Sequence, residues 1–299
     1  MSGMSQPAAG LLKHYLQQRQ ESGERCVVLR PGMLDRLRDR HSALKRRALE
    51  VRNLVATEPA VRVREEAPQA ALPVTAPAPT ATALISVQGS SKAEKLAALA
   101  ALAEVSPEAR ALGTLRETMV FSVGSPDAEV MFVGEAPGAE EERQREPFVG
   151  PAGQKLTSII TAMGLSRDRV YISNICKFRP AMEDQGLSNR TPTPEEMRAC
   201  LGYIRTEIDI IRPRVIVALG ATAATGLGLK GPVSRLRGQF YEVQGIPTMV
   251  TFHPSYLLRE EKLTGGGMQA KRQVWEDMLQ VMAKAELPIS EKQRGYFRR

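Results

Sequence analysis

Four side chains in this sequence offer complementary chemistry: Glu135, Phe148, Asn174 and His253. A carboxylate can orient a water and stabilise a developing cation, and a histidine can donate a hydrogen bond to a carbonyl that gains charge as a leaving group departs. An asparagine presents a donor and an acceptor side by side, which matches the edge of a pyrimidine. A phenylalanine ring gives a heterocycle a face to stack on. Glu135 sits in Gly134-Glu135-Ala136-Pro137-Gly138, directly after the apolar residues 130–133, and His253 opens His253-Pro254-Ser255-Tyr256 after the apolar residues 249–252. Asn174 falls at the end of the apolar run 170–175, and Phe148 precedes a second glycine-rich turn, Gly150-Pro151-Ala152-Gly153, whose amides at a helix start suit a phosphate. A base-binding pocket is the simplest object that uses all four.

The elements that must position these residues follow from periodicity. Apolar runs at 130–133, 170–175, 215–219 and 249–252 read as buried strands, and helical patterns occupy 153–163, 194–211, 221–227 and 268–285. Strands alternating with helices predict a mostly parallel sheet covered on both faces, an α/β fold in which the crevice beyond the carboxyl ends of the strands binds the ligand. The run Glu140-Glu141-Glu142 reads as a solvated charge cluster. Gly153-Gln154-Lys155 resembles the end of a nucleotide-binding loop, but its spacing fails and ATP binding is rejected.

Composition narrows the classes. A formal net charge of +8 favours a polyanionic partner, and 42% hydrophobic residues suffice for a core. Cys26, Cys176 and Cys200 are far apart, as are His14, His41 and His253, so neither a disulfide framework nor a zinc centre is expected. No apolar run is long enough to span a bilayer, and the start lacks the order of a secretory signal. The expectation is a cytoplasmic, nucleoid-associated protein with no membrane partner. Residues 1–65 read as a basic helical extension, dense in arginine and lysine over 31–52; the simpler reading of that stretch is a solvated helix face, the sharper one an arm that contacts DNA phosphates or a protein partner. Residues 66–91 read as an Ala/Pro-rich disordered linker, 92–285 as the compact domain, and 286–299 as a frayed basic tail.

The blocks GEAPGAEEERQREPFVGPAGQKL, VYISNICKFRP, NRTPTPEE, RPRVIVALGATAA, SRLRG and HPSYLLR, in this order over about residues 120–282, closely resemble the family 4 branch of the uracil-DNA glycosylase superfamily. The resemblance implies a three-layer α/β/α sandwich around a short, mainly parallel central sheet. It also implies a DNA-repair activity: base excision by base flipping, with hydrolysis of the N-glycosidic bond of uracil, or a related deaminated base, to leave an abasic site. Carried over residue by residue, Glu135 takes the place of the catalytic acid and His253 that of the histidine bonding O2 of the departing uracil. Phe148 falls where the family stacks the base, Asn174 where it reads N3 and O4, and Ala136 beside C5. Gly150, Gly153 and Ser255 are candidates to hold DNA phosphates, as are Arg235 and Arg237 of the SRLRG block, with Tyr256 and Leu257 in a loop expected to wedge into the duplex.

Family 4 members carry a four-iron cluster on four cysteines. Here the first pair is missing, the third position reads Lys177-Phe178-Arg179-Pro180, and only Cys200 matches a ligand position, Cys176 being two residues off and expected to point elsewhere. A single thiolate cannot hold a cubane, so no cofactor is expected, and hydrophobic packing of Phe178 with Leu112 and Leu115 is expected to replace the metal staple beside the insert 181–188. The resulting expectation is a monomeric, monofunctional uracil-DNA glycosylase. The alternatives are a DNA-binding module that keeps the pocket without turnover and an unrelated α/β hydrolase of small nucleotides.

Overall fold

The computed structural model describes residues 84–297; the basic extension and most of the Ala/Pro-rich segment lie outside them. Two helices come first, α1 (Lys92–Glu104) and α2 (Pro107–Ala111), the second opened by Ser106, whose side chain accepts from Ala109 N. Strands β1 (Leu115–Met119), β2 (Val123–Gly124) and β3 (Val130–Gly134) follow, then helices α3 (Ala139–Gln144) and α4 (Pro151–Ala162), strands β4 (Tyr171–Asn174) and β5 (Phe178–Pro180), and the long helix α5 (Pro194–Ile211). The Thr-Pro-Thr-Pro-Glu-Glu run sets the start of α5: Thr193 and Glu196 cap each other, at 3.2 and 2.8 Å, and Pro194 occupies the first turn. Strand β6 (Val215–Leu219), helices α6 (Ala221–Gly226) and α7 (Val233–Leu236), the hairpin β7 (Phe240–Val243) and β8 (Ile246–Thr251), and helices α8 (Pro254–Thr264), α9 (Met268–Lys284) and α10 (Glu291–Arg294) complete the order.

Six strands form one sheet in the order β2-β4-β3-β6-β8-β7, with β4, β3, β6 and β8 parallel and the edge strands β2 and β7 antiparallel. Alternate side chains of a strand face opposite sides. Met131 and Val133 therefore join α1 and α5 residues such as Leu99, Ile204 and Ile208 in one core, while Val130 and Phe132 join Leu156 of α4 and Val274, Trp275 and Met278 of α9 in another. The result is the expected α/β/α sandwich, and it delivers β3, β4, β6 and β8 with their carboxyl ends on one edge.

Several boundaries differ from expectation. The domain does not wait until residue 92: Ile85 N donates to Thr206 Oγ1 at 2.9 Å, and Ile85 and Val87 pack on the first core while Leu84 and Ser86 stay exposed. That alternation is a strand-like signal overshadowed by the alanine and proline before it. The tail is not frayed through 297. Trp275 Nε1 donates to Gln293 O at 2.9 Å, Gln293 Nε2 to Ala162 O at 2.8 Å, and Leu287, Ile289 and Phe297 cover the second core. The last central strand begins at Ile246 rather than 249, because Gln244 and Gly245, both at positive φ, close a tight hairpin with β7. Strands β1 and β5 pair antiparallel outside the main sheet, Leu115 opposite Pro180 and Met119 opposite Phe178.

Candidate active site

Register brings the first two candidates together. Gly134 is the parallel partner of Asn174, and the chain beyond each strand remains stitched: Ile175 N donates to Gly134 O and Cys176 N to Glu135 O, both at 3.0 Å. A methyl group on Gly134 would strike both Asn174 Oδ1 and the tip of the Phe148 ring, so the missing side chain is what lets the amide and the ring meet over this strand end. The Phe148 ring centroid lies 5.9 Å from that of His253, and His253 packs against Gly220, the turn glycine at the end of β6. The ends of β3, β4 and β8 thus bring Glu135, Asn174 and His253 to one edge of the sheet, and the loop between α3 and α4 adds Phe148.

Each group is poised differently. Asn174 is 1% exposed and its Oδ1 has no hydrogen-bond partner among the described residues, an arrangement that costs about 1–3 kcal/mol and that an N–H donor would relieve. The Glu135 carboxylate makes no hydrogen bond or ion pair with any described residue and stays available to a water or a cation. His253 Nδ1 accepts from Ser255 N at 3.2 Å and lies 2.8 Å from Ser255 Oγ. Burial, with a smaller contribution from Arg259, lowers the imidazole to about 4, so the ring is neutral at physiological pH. Because Nδ1 accepts from an amide, Nε2 carries the proton of the neutral ring, and it makes no hydrogen bond with any described residue.

Phe148 adopts a left-handed backbone, φ 57°, which is strained for an aromatic residue and clusters at functional sites. Gly153 permits it: any side chain there would strike the Phe148 backbone. The loop is also held by Glu141, whose carboxylate accepts from Gly138 N, Val149 N and Gly150 N at 3.1, 3.1 and 2.9 Å. The acidic run is therefore not a solvated cluster. Glu141 ties the two glycine turns together, and Glu142 bridges Arg116 and Arg179, each at 2.9 Å.

Other predicted contact residues sit elsewhere. Gly150 N is already taken by Glu141 and Gly153 is buried under Phe148, so neither turn glycine presents a free phosphate cradle. Ser255 is engaged with the His253 ring. Leu257 is 2% exposed in the second core and cannot wedge into a duplex, whereas half-buried Tyr256 stacks on Phe252 with centroids 4.6 Å apart. Arg237 turns inward: its guanidinium meets buried Asp277 at 2.9 and 3.2 Å, and Asp277 also accepts from Thr251 Oγ1 at 2.6 Å. Arg235 is exposed, and Ala136 is half-buried beside the first core. Lys177, which sequence reasoning passed over, lies fully buried under the β4 end, donating to Ser173 Oγ at 2.6 Å and Asn174 O at 3.0 Å, with Glu207 Oε1 2.5 Å away. Its place in the Lys-Phe-Arg-Pro block was the available signal.

Around the expected cluster position the donor set does not suit a cubane. Cys176 does not point elsewhere: its thiol hydrogen-bonds to Cys200 in the core, which pushes Cys176 up, with burial adding to the rise, while the same bond holds Cys200 down against its burial. Two free thiols are two ligands short of four, and among the described residues no group of three or more His, Cys, Asp or Glu side chains is arranged to hold a metal. Phe178 and Leu115 share the first core as expected, but Leu112 is not part of it, and the staple is chiefly polar. Arg179 spans Glu142, Asn189, Gly186 O and Ser188 O at 2.8–3.0 Å, and Arg190 grips Glu196 with both terminal nitrogens and Ala181 O with Nε.

A three-layer α/β/α domain whose strand ends gather a free carboxylate, an unsatisfied amide, a neutral imidazole donor and an aromatic ring is a nucleobase-handling enzyme scaffold. Comparison with known proteins agrees: the model of the uracil DNA glycosylase superfamily matches residues 121–279. The type-4 uracil-DNA glycosylase of Thermotoga maritima is 45% identical over 147 residues, 48% of this chain and 73% of that protein. The type-4 enzymes of Archaeoglobus fulgidus and Pyrobaculum aerophilum are 41% and 39% identical, covering 48% and 50% of this chain and 74% and 78% of theirs. The chain belongs to the uracil DNA glycosylase superfamily. No helix among the described residues is long and apolar enough to cross a membrane.

Proposed function

We propose that this chain is a DNA-repair glycosylase that hydrolyses the bond between uracil N1 and the deoxyribose C1′, with Glu135, Asn174, Phe148 and His253 in the roles that follow. The observation that carries the reading is the orphaned Oδ1 of buried Asn174. Uracil N3–H satisfies that acceptor while the amide Nδ2–H₂ donates to O4; cytosine, with an unprotonated N3 and an amino group at C4, would leave both unpaired. The flipped base stacks on Phe148, with Ala136 near C5. As the C1′–N1 bond breaks, its electron pair moves onto the base, and the neutral His253 donates Nε2–H to O2, where charge accumulates. Glu135 stabilises the positive charge on the sugar and orients the water that adds to C1′, its proton leaving to the carboxylate or to solvent.

The enzyme is read as monofunctional. Lys177, the lysine under the β4 end, is buried against Glu207 and is no free amine for a Schiff base. It is read as a monomer acting on DNA, and as lacking an iron-sulfur cluster on the strength of the donor set and the arginine network that braces the same region. A panel of uracil, cytosine, hypoxanthine and xanthine in single- and double-stranded oligonucleotides tests the reading. Uracil release with cytosine left intact is expected, and Asn174→Ala should lower kcat/KM for uracil by roughly 10- to 200-fold, the worth of one bidentate base contact. Tight binding of uracil-containing DNA with no release would leave only a DNA-binding module.

A further inference from the structure

The loop that carries Phe148 is gripped from two sides by opposite charges. From α3, the Glu141 carboxylate accepts from the amides of Val149 and Gly150 at 3.1 and 2.9 Å. From the turn before β4, the Arg167 guanidinium donates to Pro147 O at 2.8 Å and Phe148 O at 2.9 Å, and is itself paired with Glu146 at 2.8 Å. Two consecutive carbonyls and the next two amides are thus all bound to charged groups, which make stronger hydrogen bonds than neutral partners. The residue at the centre of this grip is the one with φ 57°. A left-handed aromatic residue is not self-sustaining, and a loop so short, ending at a helix start, would relax without external partners.

We propose that Glu141 and Arg167 are positioning residues that act through Phe148: together they hold its strained backbone so that the ring stays over the strand end beside Asn174 and His253. Neither touches the base. The inference rests on the glycosylase reading for its functional consequence, but the grip itself is a property of the fold. Lysine is a poor substitute for Arg167, since one ammonium cannot span two carbonyls with fixed geometry, and glutamine in place of Glu141 keeps one acceptor for the Val149 and Gly150 amides while losing the one that Gly138 N uses.

The test combines hydrogen exchange with a double-mutant cycle. In Arg167→Met and Glu141→Ala the amides of Val149 and Gly150 should exchange at least about 10-fold faster than in the unaltered chain, because they report local opening. In single-turnover uracil release, Arg167→Met and Glu141→Ala should each raise the half-saturating DNA concentration by roughly 10-fold and change the maximal rate by less than about 3-fold, with Glu141→Gln falling between Glu141→Ala and the unaltered chain and Arg167→Lys close to Arg167→Met. In a Phe148→Ala background, Arg167→Met should add less than about 2-fold, since the two act on one contact. A full additional loss in that background would mean that Arg167 does not act through Phe148, and unchanged exchange would remove the grip altogether. A parent chain that releases no uracil would overturn the glycosylase reading instead, leaving the exchange result to decide the grip.

Discussion

His253 shows how one residue's surroundings set its chemistry. A donor to a developing uracil anion must hold a proton on the nitrogen facing the base, yet a charged imidazolium would be costly in a buried site. Burial solves this by lowering the ring to about 4, and the Ser255 amide selects the Nε2–H tautomer. The sign of the pH effect follows. Above about pH 6.5 the ring is neutral in both the folded and unfolded chain; as pH falls toward 4 only the unfolded chain takes up the proton, so folding stability from this residue declines through that window and levels off below it. Uracil release should accordingly show no inflection at the ordinary histidine value, and the ring should titrate near 4 by NMR. A titration near 6.5 would refute the neutral donor. The four principal candidates were legible in the sequence because each lies at the end of a recognisable apolar run or in a glycine-marked turn. The contact residues were not: whether Gly150 N is free, or Leu257 exposed, depends on which way a loop folds back, and neither spacing nor residue type encodes that.

Arg237 makes the same point at the scale of elements. In sequence it is a basic residue in a block that resembles a DNA-contacting segment, but the fold uses it as a tie between the end of α7 and helix α9, beneath the β8 end that leads to His253. Asp277 is fully buried, and burial raises its carboxyl, with Thr251 and Arg237 opposing the rise. Removing the arginine should strand that carboxylate: Arg237→Ala is expected to destabilise the domain by about 3–5 kcal/mol in denaturant unfolding, the usual outcome of breaking a buried pair. A loss below 1 kcal/mol, with a shallower salt dependence of DNA binding, would make it a phosphate contact after all. The central strands and long helices were readable because their apolar periods are uninterrupted; α5 in particular is announced at its start by Thr193, Pro194 and Glu196. Short elements escaped. Strands β1 and β5 have too few alternations to stand out, α3 is disguised by three consecutive glutamates, and β7 depends on the Gln244-Gly245 turn that the apolar run after it obscured.

For the molecule as a whole, the notable feature is what braces the region beside the site. Arg179 and Arg190 cross-link residues 181–188 to α3 and α5, and the Cys176–Cys200 pair is packed within the core. The bidentate Arg190–Glu196 pair and the four hydrogen bonds of Arg179 are directional staples rather than loose surface bridges. Protein purified with iron and sulfide supplied should therefore be colourless and carry far less than stoichiometric iron; a brown sample with four irons per chain would contradict the donor-set argument. The proposed function turns on the Glu135 carboxylate, which lies just past the end of β3 with no hydrogen-bond or ion-pair partner among the described residues, as the group that drives breakage of the glycosidic bond in the pocket proposed for Asn174, Phe148 and His253. The most direct measurement is single-turnover release of uracil from a single-stranded oligonucleotide by the unaltered chain and by Glu135→Gln, with DNA binding followed in parallel. The account predicts release by the unaltered chain, a loss of about 10²-fold or more in the maximal rate for the variant, and binding unchanged within about 3-fold. Equal rates for the two proteins would contradict it.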